Sequence, residues 1–101
     1  MENNQNVLNM LGLAMRAGKL VSGEEITLKA LKSKKLSLVL IAGDVSENTN
    51  KKIHDKCQYY ETPVFTFMTK ADISHAIGRS RSIIGVTDRG FAQKMRELMV
   101  K

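Results

Sequence analysis

In the stretch LVSGEEITLKALKSKK, residues 20–35, two carboxylates, Glu24 and Glu25, stand just ahead of four ammonium groups on Lys29, Lys32, Lys34 and Lys35. Glu25, Lys29 and Lys32 are spaced i, i+4, i+7 and share one face of a helix, with Ile26 and Ala30 expected on the neighbouring face toward the core. Gly23 lets a foreign backbone approach closely, and the free N–H groups of a helix start carry partial positive charge. This chemistry suits a polyanion that also presents hydrogen-bond donors. Lysines hold phosphate, whereas carboxylates only accept, and so take amino or imino protons from base edges. Thr27 adds a hydroxyl to the same turn. A plainer reading stands beside this one: Ser22 and Glu25 form a capping box and Glu25 pairs with Lys29 on a solvated helix, each contributing no more than about 1 kcal/mol.

A second cationic segment is GRSRS, residues 78–82, where Arg79 and Arg81 alternate with Ser80 and Ser82 behind a flexible glycine. Guanidinium groups are forked donors, and two of them among hydroxyls make a phosphate clamp. A third polar segment, AGDVSEN at 42–48, carries Asp44 and Asn48 as further candidates for polar contacts. Asp44 follows an apolar strand, where open α/β sheets often bind ligands, although a helix cap is its ordinary role. If these three segments meet at one end of a sheet, they form a composite surface for folded RNA.

Other chemistries lack their residues. The chain has no G-x-x-x-x-G-K-[ST] loop, no G-x-G-x-x-G, no paired cysteines and no H-E-x-x-H, so neither a cofactor, a metal nor an enzymatic activity is expected. His54 and Cys57 are one helical turn apart, but Cys57 falls on an apolar stripe, where a small thiol is expected to pack in the core. His75, like His54, is expected to be partly exposed. Base stacking on a sheet is disfavoured, because Phe65 and Phe67 project from one face of a strand that helices should cover. Two alternatives remain: a protein-interaction module docking an acidic partner on the same basic surface, and a small-ligand or phosphotransfer domain centred on Asp44.

The whole chain leans the same way. With 101 residues it holds one domain, 1–101, and 16 Lys and Arg against 10 Asp and Glu give a net charge of +6 that favours anionic partners. The opening MENNQNVLN has no basic signal-peptide start, and the aliphatic run LVLIA is too short to span a bilayer. A single cysteine suits a reducing compartment. A soluble, cytoplasmic protein with no membrane partner is expected.

The elements that must position these residues follow from periodicity. Val7, Met10, Leu11, Ala14 and Ala17 recur at helical spacing up to Gly18, a C-terminal stop. A short strand at 20–21 precedes the helix that starts SGEE. LSLVLIA, 36–42, is a continuous apolar run, as expected of a central strand covered on both faces. Asp44 and Glu47 have capping-box spacing before a helix whose stripe is Thr49, Ile53, Cys57 and Tyr60. Pro63 introduces the strand VFTFM. Thr69 and Asp72 repeat the capping spacing at a short helix ending on Gly78, SIIGVT forms the last strand, and Asp88 caps a helix with the stripe Phe91, Met95 and Leu98. The order αβαβαβαβα predicts a three-layer α/β/α sandwich around a sheet of about four strands.

The frame LGLAMRAGKLVSGEEITLKALKSKKLSLVLIAGDVSENTNKK followed by ISHAIGRSRS resembles the ribosomal protein L-seven-Ae and L-thirty-e superfamily, most closely its small bacterial YlxQ-like branch. The resemblance covers 7–100. It implies the same sandwich, with a mixed sheet, and recognition of kink-turn RNA, a sharp bend with tandem sheared G·A pairs, in a ribosomal or other ribonucleoprotein. Family recognition relies on a helix-two motif that often reads Gly-x-Asn-Glu-x-x-Lys and on a mostly apolar loop before the last strand. Gly23 and Lys29 match the motif. Glu25 stands where Asn is frequent and Ile26 where Glu is frequent, while Ser80, Arg81 and Ser82 replace apolar loop residues. The resemblance therefore implies structured-RNA binding with relaxed selectivity, in which phosphate contacts weigh more heavily.

Overall fold

The computed structural model describes residues 2–100. Five helices and four strands alternate: α1 Glu2–Arg16, β1 Leu20–Ser22, α2 Glu24–Lys32, β2 Leu38–Ile41, α3 Glu47–Tyr59, β3 Val64–Thr66, α4 Lys70–Ile77, β4 Ile83–Val86 and α5 Arg89–Met99. The strands form one mixed sheet in the order β1-β4-β2-β3, with β4 antiparallel to both its neighbours and β2 parallel to β3. The two apolar strands, β2 and β4, are central and wholly buried, as a run without polar alternation requires.

Alternate residues of these strands feed two cores. Leu38, Leu40, Ile84 and Val86 meet Val7, Leu11 and Ala14 of α1, Ile73 and Ile77 of α4, and Ala92 and Met95 of α5. On the other face Val39, Ile41 and Ile83 meet Leu31 of α2 and Ile53 and Cys57 of α3. Helices thus cover both faces, and the expected α/β/α sandwich is found. Phe65 and Phe67 both pack in the first core.

Gly85 sits in the middle of β4, opposite Val21 and Val39. A Cβ there would lie 2.8 Å from Leu36 Cδ1 and 2.9 Å from Val21 Cγ2, so the absence of a side chain is what lets Leu36 close over the strand.

Several helix ends were legible and others were not. Gly18 and Gly78 have positive φ and end their helices as expected, and Thr69 and Asp88 accept from the N–H of Asp72 and Phe91. The first helix, however, starts at Glu2, so the polar residues ahead of Val7 are helical, and Ala17 lies beyond its end. Ser22 does not cap α2, because it belongs to β1 and pairs with Ile84; Gly23 is the N-cap, without a side-chain hydrogen bond. Asp44 does not cap α3 either, since Ser46 takes that role by accepting from Thr49 N.

Cys57 is free and fully buried, and burial alone pushes its thiol from 9.0 up to about 11. His54 instead approaches Thr66 Oγ1 at 3.5 Å. A thiol held neutral in the folded chain but free to ionise in the unfolded one lowers stability as pH rises from 9 toward 11. Urea midpoints should fall across that interval in the native sequence and stay flatter in Cys57→Ala, and iodoacetamide should label Cys57 only after denaturation. Gly85→Ala should lower stability by about 1–3 kcal/mol in urea titration, the typical cost of overpacking.

Candidate nucleic-acid interface

Because β4 runs against its neighbours, its start lies at the same end of the sheet as the finishes of β1, β2 and β3. Ser22 is opposite Ile84, and Ile41 is opposite both Ile83 and Thr66. Backbone hydrogen bonds continue this alignment past the strands: Gly23 N donates to Ile83 O at 2.9 Å, Ala42 N to Ser82 O at 2.8 Å and Gly43 N to Met68 O at 2.8 Å. The segments SGEE, AGDVSEN and GRSRS therefore converge at one end.

Gly23 has φ 101° and ψ 151°, a region essentially reserved for glycine. Its bare Cα faces Arg81, whose Nε and Cδ lie 3.6 Å and 3.8 Å from where a Cβ would stand. Ser74 of α4 fixes that arginine's backbone, its Oγ accepting from Arg81 N at 2.9 Å and donating to Arg81 O at 3.0 Å. Arg81 Nη1 donates to Ser80 O at 2.9 Å, whereas Nε is buried without a hydrogen-bond partner. The guanidinium as a whole is half-buried beside the helix start, and it is the terminal nitrogens of its fork, not the enclosed Nε, that suit an oxygen anion.

Next to this contact Glu24, Asp44, Ser46, Thr49, Lys70 and Ser82 line a hollow of about 320 Å³. Asp44 Oδ1 accepts from Lys70 N at 2.9 Å, so its carboxylate caps α4 rather than the helix that follows it in sequence. Glu24 Oε2 pairs with Lys52 Nζ at 2.8 Å, joining the start of α2 to α3. Both partners are about half exposed, and such a pair contributes only about 0.2–1 kcal/mol. With Glu24 balanced by Lys52 and Asp44 by Lys70, this hollow carries no excess positive charge for phosphate, which belongs on the rim with Arg81.

Of the residues singled out in the sequence, Gly23, Glu24, Asp44, Arg81 and Ser82 are drawn together here, with Glu25, Lys29 and Lys32 exposed along α2 and Arg79 and Ser80 exposed on the loop. Thr27 is a correction. It is fully buried on the core side of α2 with Leu31, because the helix turns the 27/31 pair inward, so its hydroxyl is not on the surface. Ile26, expected toward the core, is 57% exposed for the same reason and stands one turn from Lys29. Asn48 is exposed but lines a different hollow, with Glu47 and Lys51, and not the one next to the Gly23–Arg81 contact. Lys52 and Lys70 escaped the sequence reading, since nothing local links them to Glu24 or Asp44, 28 and 26 positions away.

A sequence model of the ribosomal protein L7Ae/L30e/S12e/Gadd45 family matches residues 5–96. The chain belongs to that family. It is 47% identical over 97 residues to the RNA-binding protein YlxQ of Enterococcus faecium, covering 96% of this chain and 94% of the relative. It is 43% identical to YlxQ of Bacillus subtilis (strain 168), over 89% of this chain and 91% of that one. A solved structure of a Bacillus halodurans protein of unknown function superposes with a TM-score of 0.91 at 38% identity, covering 94% of this chain and 97% of that chain. The Giardia lamblia 15.5kD RNA binding protein has a TM-score of 0.77 at 18% identity over 97% and 91% of the two chains, a likeness of fold alone. Membership of the L7Ae/L30e/S12e/Gadd45 family thus agrees with the resemblance carried by the glycine-opened second helix, the turn after the central strand and the fourth helix ending on Gly78.

At Gly23 any side chain is strained by the backbone, while 3.6 Å to Arg81 is ordinary contact distance. Gly23→Ala should therefore cost about 1–3 kcal/mol in chemical denaturation through φ/ψ strain. A stability unchanged within experimental scatter would show that this turn relaxes freely.

Proposed function

We propose that this chain binds structured RNA at the end of the sheet where Gly23 meets Arg81, as a non-catalytic cytoplasmic component of a ribosomal or other ribonucleoprotein, with a kink-turn as its first candidate ligand. The observation that carries the reading is that contact itself: the arginine loop is seated against the glycine that opens α2, so a guanidinium and a helix start stand side by side. The bacterial relatives with 47% and 43% identity, both called RNA-binding proteins, support it.

In this reading Arg79, Arg81 and Lys32 hold phosphate on the rim, and Gly23 lets the RNA backbone close on the helix start. Glu25 and Lys29 meet base edges, Glu25 as acceptor and Lys29 as donor to base oxygens. Ile26, exposed beside Lys29, offers apolar surface to a base or ribose where the family motif often has Glu. Two acceptor-only or apolar groups in place of Asn and Glu make direct reading of G·A pairs weaker and backbone shape more important. A phosphotransfer role for Asp44 is disfavoured by its engagement with Lys70 N and by Glu24 in the same hollow.

A band shift comparing a kink-turn duplex with the same duplex lacking its G·A pairs tests this proposal. The kink-turn should bind more tightly, with affinity falling on a log–log salt plot at a slope of about −3 to −5, as for a handful of neutralised phosphates. Lys29→Ala should weaken that binding by about 1–3 kcal/mol. Equal affinity for both duplexes would reduce the interaction to bulk charge, and a slope near zero would remove the phosphate contacts altogether.

A further inference from the structure

Beyond the Gly23–Arg81 contact, the outer surface of α2 and α3 carries a second set of groups with nucleic-acid chemistry. On α3, Lys52, Lys56 and Tyr59 are spaced i, i+4, i+7 and share one face over about 10 Å of helix. Leu28, Lys29, Lys32, Lys56 and Tyr60 line a hollow of about 280 Å³ between the two helices. Lys52, Asp55, Lys56 and Tyr59 line an adjoining one of about 420 Å³. Lys56 belongs to both, so the two hollows join, and Lys29 and Gly23 lie on the same helix, α2 and its N-cap.

Tyr59 is 77% exposed, an unusual place for an aromatic ring at a helix end. Its ring lies edge-to-face with Tyr60, centroids 4.8 Å apart at 89°, and Tyr60 is itself packed against the second core. The exposed ring thus rests on a neighbour anchored in the core while most of its surface stays open. An exposed aromatic beside lysines is the combination that single-stranded nucleic acid uses, base on ring and phosphate on ammonium.

We propose that this ledge binds an unpaired RNA strand leaving the structured element, with a base stacked on Tyr59 and its phosphates on Lys32 and Lys56. The inference rests on the RNA reading above and names where that RNA continues. Lys52 is engaged with Glu24, so the anion-holding charge of the ledge comes from Lys56, with Lys32 shared where the ledge meets the structured element. Asp55 repels phosphate from its own side of the ring and accepts from a base amino group or a ribose hydroxyl. A protein partner fits less well, because lysine is depleted at protein interfaces and Lys29, Lys32 and Lys56 surround these hollows.

The test measures anisotropy with two RNAs: a blunt kink-turn duplex, and the same duplex extended on either strand by a short unpaired uridine tail. The native chain, Tyr59→Ala, Tyr59→Phe and Lys56→Ala are compared, after thermal melts confirm that each folds. In the native chain the tail should tighten binding about fivefold or more, the lower end of base–aromatic stacking. Tyr59→Ala and Lys56→Ala should abolish the gain while leaving the blunt duplex unaffected, and Tyr59→Phe should keep it. A tail that adds nothing to the native chain, or a gain that survives both alanine variants, overturns the ledge and leaves the kink-turn reading intact. A Tyr59-dependent gain on a duplex whose G·A pairs prove irrelevant supports the ledge and overturns the kink-turn. Tyr59-dependent capture of a nuclease-treated protein, with no tail effect, overturns the ledge as an RNA surface.

Discussion

Strand β4 is inserted between β1 and β2 and runs against both, and most of what this molecule can do at its ligand-facing end follows from that register. A parallel insertion would have sent the GRSRS loop to the far end of the sheet, away from the start of α2. The antiparallel one places residues 78–82 beside Gly23 and locks them there through Gly23 N to Ile83 O and Ala42 N to Ser82 O. The register is held in turn by packing. Gly85 has no side chain, which lets Leu36 and Val21 close over the middle of the strand, while Ile84 and Val86 go to one core and Ile83 to the other.

Charge at this end is mixed. Carboxylates of Glu24 and Asp44 line the hollow with Lys70, Arg81 lies beside it against Gly23, Arg79 is exposed on the loop, and Lys29 and Lys32 stand exposed further along α2. Both carboxylates have structural partners, Lys52 Nζ and Lys70 N, and these contacts tie α3 and α4 to the same end. An RNA, which presents base edges as well as phosphate, fits such a mixture better than a free phosphate does. On the proposed reading, the glycine at 23 and the serine at 74 matter as much as the charges. One lets the Arg81 side chain lie against the start of α2, and the other holds the arginine loop by both its N–H and its C=O.

The sequence was a good guide to elements and a poorer one to faces. All nine elements were foreseen in order, because continuous apolar runs mark central strands and Gly18, Gly78, Thr69 and Asp88 have local signatures. Capping by Ser22 and Asp44 failed because each spacing had a competitor that only tertiary pairing reveals. Ladder bonding claims Ser22 for β1, and the N–H of Lys70 claims Asp44. The inward turn of Thr27 instead of Ile26 was missed because α2 has two i, i+4 pairs, 26/30 and 27/31. Leu31 enters the second core and carries Thr27 with it.

What the chain determines by itself is the α/β alternation, the buried centre of the sheet and the chemistry available at Gly23, Lys29 and residues 78–82. Those are properties of neighbours in sequence, where periodicity, conformational freedom and charge act over a few residues. Only the tertiary structure decided that Arg81 lies against Gly23, that Lys52 meets Glu24 and that Tyr59 stands exposed beside Lys56. The first two join groups 58 and 28 positions apart, and all three depend on how the strands order and pack, a property of the whole sheet that no local spacing encodes.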